Sequence, residues 1–207
     1  MIITPGYPGV VFTTAVEGDM RGSPTDRKAV ADRLEASPSW AVVDQVHGAH
    51  TVRATDALNY GSGDALFTTE LGLPLAVFTA DCLGVALTAE GAVGVAHAGW
   101  RGIVAGVVPA LIGQMVDVGC PPVRAAVGPG IGPCCYEVGA DVSDRLPGFT
   151  SETTWGTTSV NLRGAVLAQL DGLDVWDAGA CTRCGAGFHS HRTDATSARM
   201  ATISWRV

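Results

Sequence analysis

The clearest pattern in the chain is a series of short apolar runs, each closed by polar residues or glycine. Residues 10–14, 75–78, 85–88, 93–97, 124–127 and 200–207 read as strands, and 40–46 and 51–54 are strand-like runs flanking the turn His47-Gly48-Ala49-His50. Helical spacing occurs in three places. Residues 25–36 carry Val30 and Leu34 toward a core, with Ser23 or Thr25 as the cap and Ser37-Pro38 as the stop. Residues 103–118 place Val104, Val107, Val108, Leu111, Ile112 and Met115 three or four apart, and Pro109 predicts a kink. Residues 162–170 follow Asn161, a natural N-cap. Strands and helices do not alternate in a strict βαβ rhythm. The pattern therefore predicts a mixed α/β (α+β) arrangement, with helices covering packed sheets. No repeat, low-complexity segment or long linker divides it, so one domain over residues 1–207 is expected.

Composition narrows the function. Hydrophobic residues make up 47% of the chain, which supports a sizeable core, and 27 glycines imply many tight turns. The formal charge of −7 argues against nucleic acid or an anionic membrane as the main partner. A small anionic substrate is compatible with it. Residues 1–10 lack the basic and apolar regions of a signal peptide, and the apolar stretch 71–100 is interrupted by Asp81, Glu90, His97 and glycines. A cytoplasmic monomer is expected, and its six cysteines read as reduced thiols or metal ligands, not as a disulfide framework.

Three side chains stand out by position. His47, Cys82 and His97 each lie at the end of a strand-like run, where side chains converge at one rim of a sheet. Imidazole and thiolate are natural zinc ligands, and three protein ligands leave a fourth position for water or substrate. Spacing alone fits equally a buried cysteine and a structural histidine. Cys181 and Cys184, with His189 and His191 nearby, read as packed thiols, a redox pair or a second zinc site, while the adjacent Cys134 and Cys135 read as structural. The loop Gly128-Pro129-Gly130-Ile131-Gly132 reads as a tight turn or a backbone cradle for an anion. Arg101 and Arg192 are candidate phosphate or carboxylate binders, and Asp64 a candidate cap or orienting group.

Taken together, the motifs resemble a known family. Gln45-Val46-His47-Gly48, Thr79-Ala80-Asp81-Cys82, His97-Ala98-Gly99-Trp100-Arg101-Gly102, the run from Gly128 to Gly139, and Cys181-Thr182 with the segment from Phe188 to Asp194 occur in one order. They are similar to the bacterial laccase-domain proteins, also called the peptidoglycan editing factor or multicopper polyphenol oxidase family, which includes an animal purine enzyme. The resemblance implies an α/β sandwich of mixed, largely antiparallel sheets and a zinc site at His47, Cys82 and His97. It also implies phosphorolysis of purine nucleosides, deamination of adenosine and a role in cell-wall precursor fidelity. Nucleoside and phosphate are then the small-molecule partners, and copper is the less favoured metal. Asp81 would act as proton shuttle or orienting group; Gln45, Arg101, Arg192 and Asp64 would face substrate.

The sequence departs from the family near its start, where Thr13-Thr14 is followed by Ala15 where an arginine is usual, with Arg21 as a possible replacement. It departs again at Arg192-Thr193-Asp194 and at Ala198-Arg199. Three other readings stand beside the zinc enzyme. These are a Cys82–His97 thiol hydrolase, a copper oxidase, and a zinc-binding protein without catalysis.

Overall fold

The computed structural model describes residues 1–207, except for the side chain of Asp194. Its centre is a six-stranded sheet in the order Asp174–Asp177, Arg124–Val127, Leu83–Ala89, Ala92–Ala98, Ala65–Thr68, Thr51–Arg53. The four inner strands pair antiparallel, and the two edge strands join in parallel. A four-stranded antiparallel sheet lies against it, ordered Ile2–Ile3, Val10–Phe12, Met200–Ser204, Leu75–Thr79. The fold is thus a layered sandwich of mixed, largely antiparallel sheets.

Alternation along the Leu83–Ala89 strand sorts its side chains. Leu83, Val85 and Leu87 join Val108, Leu111, Met115 and Val166 of the covering helices Val107–Asp117 and Leu162–Gln169. Ala86 turns to the other face and meets Val10, Phe12, Leu75 and Val77 between the sheets. Gly84 shares that second face. A Cβ there would come within 1.8 Å of Thr202 Oγ1, so glycine is what lets the sheets approach. On the outer face of the smaller sheet, Val30 of the helix Pro24–Leu34 packs with Trp40, Phe78 and Ile203.

Most elements lie where the hydrophobic pattern puts them, and the differences have local causes. The expected helix over 103–118 is two helices, Trp100–Ala105 and Val107–Asp117. The break falls at Gly106, with φ of 79°, and not at Pro109. Pro109 then sits in the first turn of the second helix, where its missing N–H has no partner to lose. Of the run 40–46, only Val42–Asp44 is a strand, and its partner Asn59–Ser62 was not anticipated. Ser23 and Asn161 cap their helices through Asp26 N–H and Gly164 N–H.

Candidate metal and active site

The rim of the large sheet builds the site. Counting by two from core positions puts Asp64, Cys82 and His97 on one face, the face of Leu66, Ala86 and Val95. Register brings them side by side: Leu83 pairs with Ala98, Gly84 with His97, and Ala65 with Ala96. His47 arrives from the turn after the Val42–Asp44 strand. The ligand atoms of His47, Cys82 and His97 all lie within 4.8 Å of one another. The imidazoles meet edge to face, with centroids 4.7 Å apart and planes at 78°. His97 is buried, Cys82 is half-buried and His47 is exposed, so the cluster opens to solvent on the His47 side.

Asp64 organises this cluster from below. It is fully buried, and Oδ1 lies 2.8 Å from His97 Nδ1. Its two carboxylate oxygens also accept the backbone N–H groups of Val46, His47 and Gly48 at 3.2, 2.9 and 2.6 Å. His47 has φ of 61°, the left-handed conformation that lets consecutive N–H groups converge on one anion. Burial opposes ionisation of Asp64, but the His97 bond and these amides outweigh it and lower its pKa. An Nδ1–H donated to this carboxylate leaves His97 Nε2 as the free nitrogen, the arrangement that orients histidines toward a metal. Of the two roles expected for Asp64, a cap or orienting group and a substrate contact, these hydrogen bonds match the first.

Close approach explains the glycines of the His97-to-Gly102 motif. A Cβ on Gly99 would lie 3.0 Å from both Cys82 Sγ and His47 Cδ2, and one on Gly102 would lie 3.1 Å from Gly48 O. Burial opposes a thiolate at Cys82. Hydrogen bonds from His47 and His97, together with their charge, prevail and lower its pKa to about 6. Burial likewise opposes charge on His97, but Asp64 and Cys82 raise it to about 9. In metal-stripped protein, the rate of Cys82 alkylation by iodoacetamide should therefore titrate with a midpoint near 6, isolated by subtracting the Cys82→Ala profile. A midpoint at the ordinary thiol value near 8.5 would contradict this electrostatic picture.

The remaining expected site residues divide into two groups. The Gln45 side chain is clasped to Phe78, donating Nε2–H to its carbonyl and accepting its N–H, both at 2.8 Å. This amide imitates a strand pairing, which fixes its orientation and uses one of its two Nε2–H donors and one Oε1 lone pair. Asp81, with φ of 84°, accepts Thr182 Oγ1–H and Arg192 N–H, both at 2.7 Å. Both its oxygens are therefore committed to anchoring the C-terminal segment. Arg101 and Arg192 are exposed at the rim. Arg101 lies 4.4 Å from the Trp100 ring centroid, and Arg192 lies 5.1 Å from that of Tyr136.

Tyr136 was not singled out by the sequence. Burial and the Cys82 charge push it up to about 12, against the opposing pull of Arg192 and Arg101. Its ring carries the Arg192 guanidinium. Arg21 lies elsewhere, in a recess of about 450 Å³ with Asp19, Gly22, Ser197 and Arg199. The 128–132 loop is not an anion cradle. Gly128, Gly130 and Ile131 donate their N–H groups to Gly84, Ala180 and Asp81 carbonyls, and Gly132 donates to Cys181 Sγ.

Known proteins agree with this architecture. The model of the multi-copper polyphenol oxidoreductase laccase family matches residues 7–207. A purine nucleoside phosphorylase of Streptomyces griseus is 40% identical over 208 residues, covering 92% of this chain and 84% of the relative. A Deinococcus radiodurans purine nucleoside phosphorylase is 41% identical over 171 residues, covering 77% and 67%. The crystal structure of YlmD from Geobacillus stearothermophilus superposes with a TM-score of 0.82 at 30% identity, over 99% of this chain and 94% of that one. A sandwich of this topology, sharing this much sequence along nearly its whole length, belongs to the multi-copper polyphenol oxidoreductase laccase family.

Proposed function

We propose that the chain is a zinc-dependent purine nucleoside enzyme whose principal reaction is phosphorolysis. The observation that carries this reading is an open-sided His₂Cys donor set flanked by two exposed arginines: Arg101 lies two residues past Gly99, which abuts Cys82 Sγ, and Arg192 donates its N–H to Asp81, the residue before Cys82. The donor set fits zinc: two imidazoles and one thiolate, one imidazole oriented by a buried carboxylate, and solvent access on one side. When bound by His47, Cys82 and His97, zinc supplies a Lewis acid and lowers the pKa of the water it holds. The family's name points to copper. Of the five histidines, only His47 and His97 join a cluster of possible ligands among the described residues. That is too few imidazoles for several coppers, and the reading here is one zinc.

In phosphorolysis, a phosphate oxygen bonds to C1′ of the ribose. The bond from C1′ to the purine nitrogen breaks, its electron pair leaves with the base, and the base takes up a proton. Arg101 and Arg192 hold the phosphate in this scheme, and Tyr136, protonated at neutral pH, donates a hydrogen bond at the same rim. Asp81 acts as a positioning residue rather than a proton shuttle, since Thr182 and Arg192 N–H occupy its oxygens. Adenosine deamination is a second reaction of the same site, with water in place of phosphate.

Inosine incubated with and without phosphate tests the reading, with hypoxanthine and ribose 1-phosphate as products. Phosphate-dependent release supports it; a zinc-loaded protein that cleaves no nucleoside would overturn it. Arg192→Gln should raise the KM for phosphate about 10- to 100-fold, the cost of a charge-assisted hydrogen bond, with a smaller change in the KM for inosine. An unchanged phosphate KM would remove Arg192 from the anion site.

The same cluster suits a different chemistry. Cys82 lies with His97 in one cluster, its pKa lowered by His47 and His97 while that of His97 is raised by Asp64 and Cys82, and this favours the thiolate–imidazolium pair that a thiol hydrolase uses. Chelation separates the two readings, because it silences the zinc enzyme and leaves a thiol hydrolase active.

A further inference from the structure

The fold gathers a second set of metal-binding side chains outside this site. Cys134 and Cys135 sit in the tight turn where Cys135 and Tyr136 both donate their N–H to the Gly132 carbonyl. Cys181 and Cys184 sit in a second turn closed by Gly185 N–H on the Cys181 carbonyl. The two turns are joined edge to edge by a parallel bridge between Gly130 and Cys181, with Thr182 N–H donated to Gly130 O. All four sulfurs lie within 4.8 Å of one another, and Cys134 and Cys184 Sγ are 3.8 Å apart. A tetrahedral zinc with Zn–S bonds of about 2.3 Å has sulfur–sulfur edges of about 3.8 Å.

We propose that Cys134, Cys135, Cys181 and Cys184 form a tetrathiolate site for zinc, which staples the 178–190 segment to the 128–139 loop. His189, which the sequence placed beside Cys181 and Cys184, is held elsewhere by the Gly18 carbonyl at 3.1 Å. The adjacent pair Cys134 and Cys135 supplies the missing ligands instead.

Three features support a built site. The backbone is shaped around the sulfurs: a Cβ on Gly132 would lie 3.2 Å from Cys134 Sγ and 3.3 Å from Cys181 Cβ, and one on Gly185 would strike Cys181 O at 2.5 Å. Donors are aimed at the sulfurs, with Gly132 N–H 3.2 Å from Cys181 Sγ. Ion binding by four thiols releases four protons and leaves a net charge of −2, which the Arg183 guanidinium faces from the Cys135 carbonyl at 2.9 Å. The third feature is need. In residues 178–190 the fully buried side chains are polar, Thr182 and Ser190, and the apolar packing is limited to half-buried residues such as Cys181 against the main core. Yet Thr182, between the two cysteines, must stay 2.7 Å from Asp81 beside Cys82. A metal staple adds order where core packing is sparse.

This inference does not depend on the nucleoside chemistry, and the Cys82→Ala chain tests it apart from the first site. That chain keeps five cysteines: Cys120, Cys134, Cys135, Cys181 and Cys184. Reduced, metal-stripped full-length protein is titrated with zinc and then treated with N-ethylmaleimide. One zinc per chain by native mass spectrometry is expected, with four cysteines protected and only Cys120 alkylated. In Cys184→Ser, whose side chain is exposed and dispensable for packing, protection of the other three should fall at least 10-fold. Folded Cys82→Ala protein with all five thiols reacting alike, with or without zinc, would overturn the proposal. So would metal-free protein isolated with a Cys134–Cys184 disulfide, since the cluster would then be a redox pair. If Cys184→Ser fails to fold, the Cys82→Ala titration still decides.

Discussion

Replacing Cys82 with alanine should remove one zinc per chain and bring phosphate-dependent base release to background. Cys82 is the only anionic donor of the His47, Cys82 and His97 set, and its charge sits beside two imidazoles at the centre of the cluster. Two histidines, one on an exposed turn, bind a divalent ion far more weakly than three ligands with a thiolate. Loss of a hydrogen-bond partner to a ligand already costs about 10- to 100-fold in metal affinity or activity, so loss of the ligand itself should exceed that range. Cys82 is only half-buried, so the truncation leaves the core intact. Circular dichroism should match the parent, while metal analysis and turnover fall together. An active variant that has lost the zinc would break the proposed scheme.

Asp64→Asn should produce the second largest effect, on metal affinity and stability together. The native carboxylate accepts three backbone N–H groups and faces His97 Nδ1. An amide has one acceptor oxygen, and its NH₂ would point at an N–H or at the imidazole. At least one buried donor is left unpaired, at a cost of about 1–3 kcal/mol. The left-handed turn at His47 also loses the anion that holds it. Zinc affinity should fall about 10- to 100-fold, read by competition with a coloured chelator, and the thermal midpoint should drop in parallel. A variant with parental zinc affinity would show that Asp64 neither orients His97 nor fixes the His47 turn.

Much of this site was legible in the sequence because its ligands end strands. Apolar runs mark which segments are buried strands; His97 lies near the end of one, and Cys82 immediately before another. Asp64 was readable as a cap or orienting group, but the groups it holds were not legible, because register across the sheet brings them together. Asp64 and His97 are separated by 33 residues, as are Gln45 and Phe78. No local pattern distinguishes an aspartate that caps a turn from one that faces substrate. At Cys134 and Cys135 the adjacent thiols by themselves point to a structural role; that Cys184, 50 residues on, lies 3.8 Å from Cys134 Sγ is likewise a product of the fold. At Gly106 the sequence held the answer, since a left-handed glycine breaks a helix more cheaply than a proline that the first turn tolerates.

The most direct test of the central claim is phosphate-dependent cleavage of inosine by one preparation in three states: as purified, stripped of metal, and restored with zinc. The account predicts turnover in the first, background in the second and full recovery in the third. Undiminished phosphorolysis by the stripped protein would contradict it.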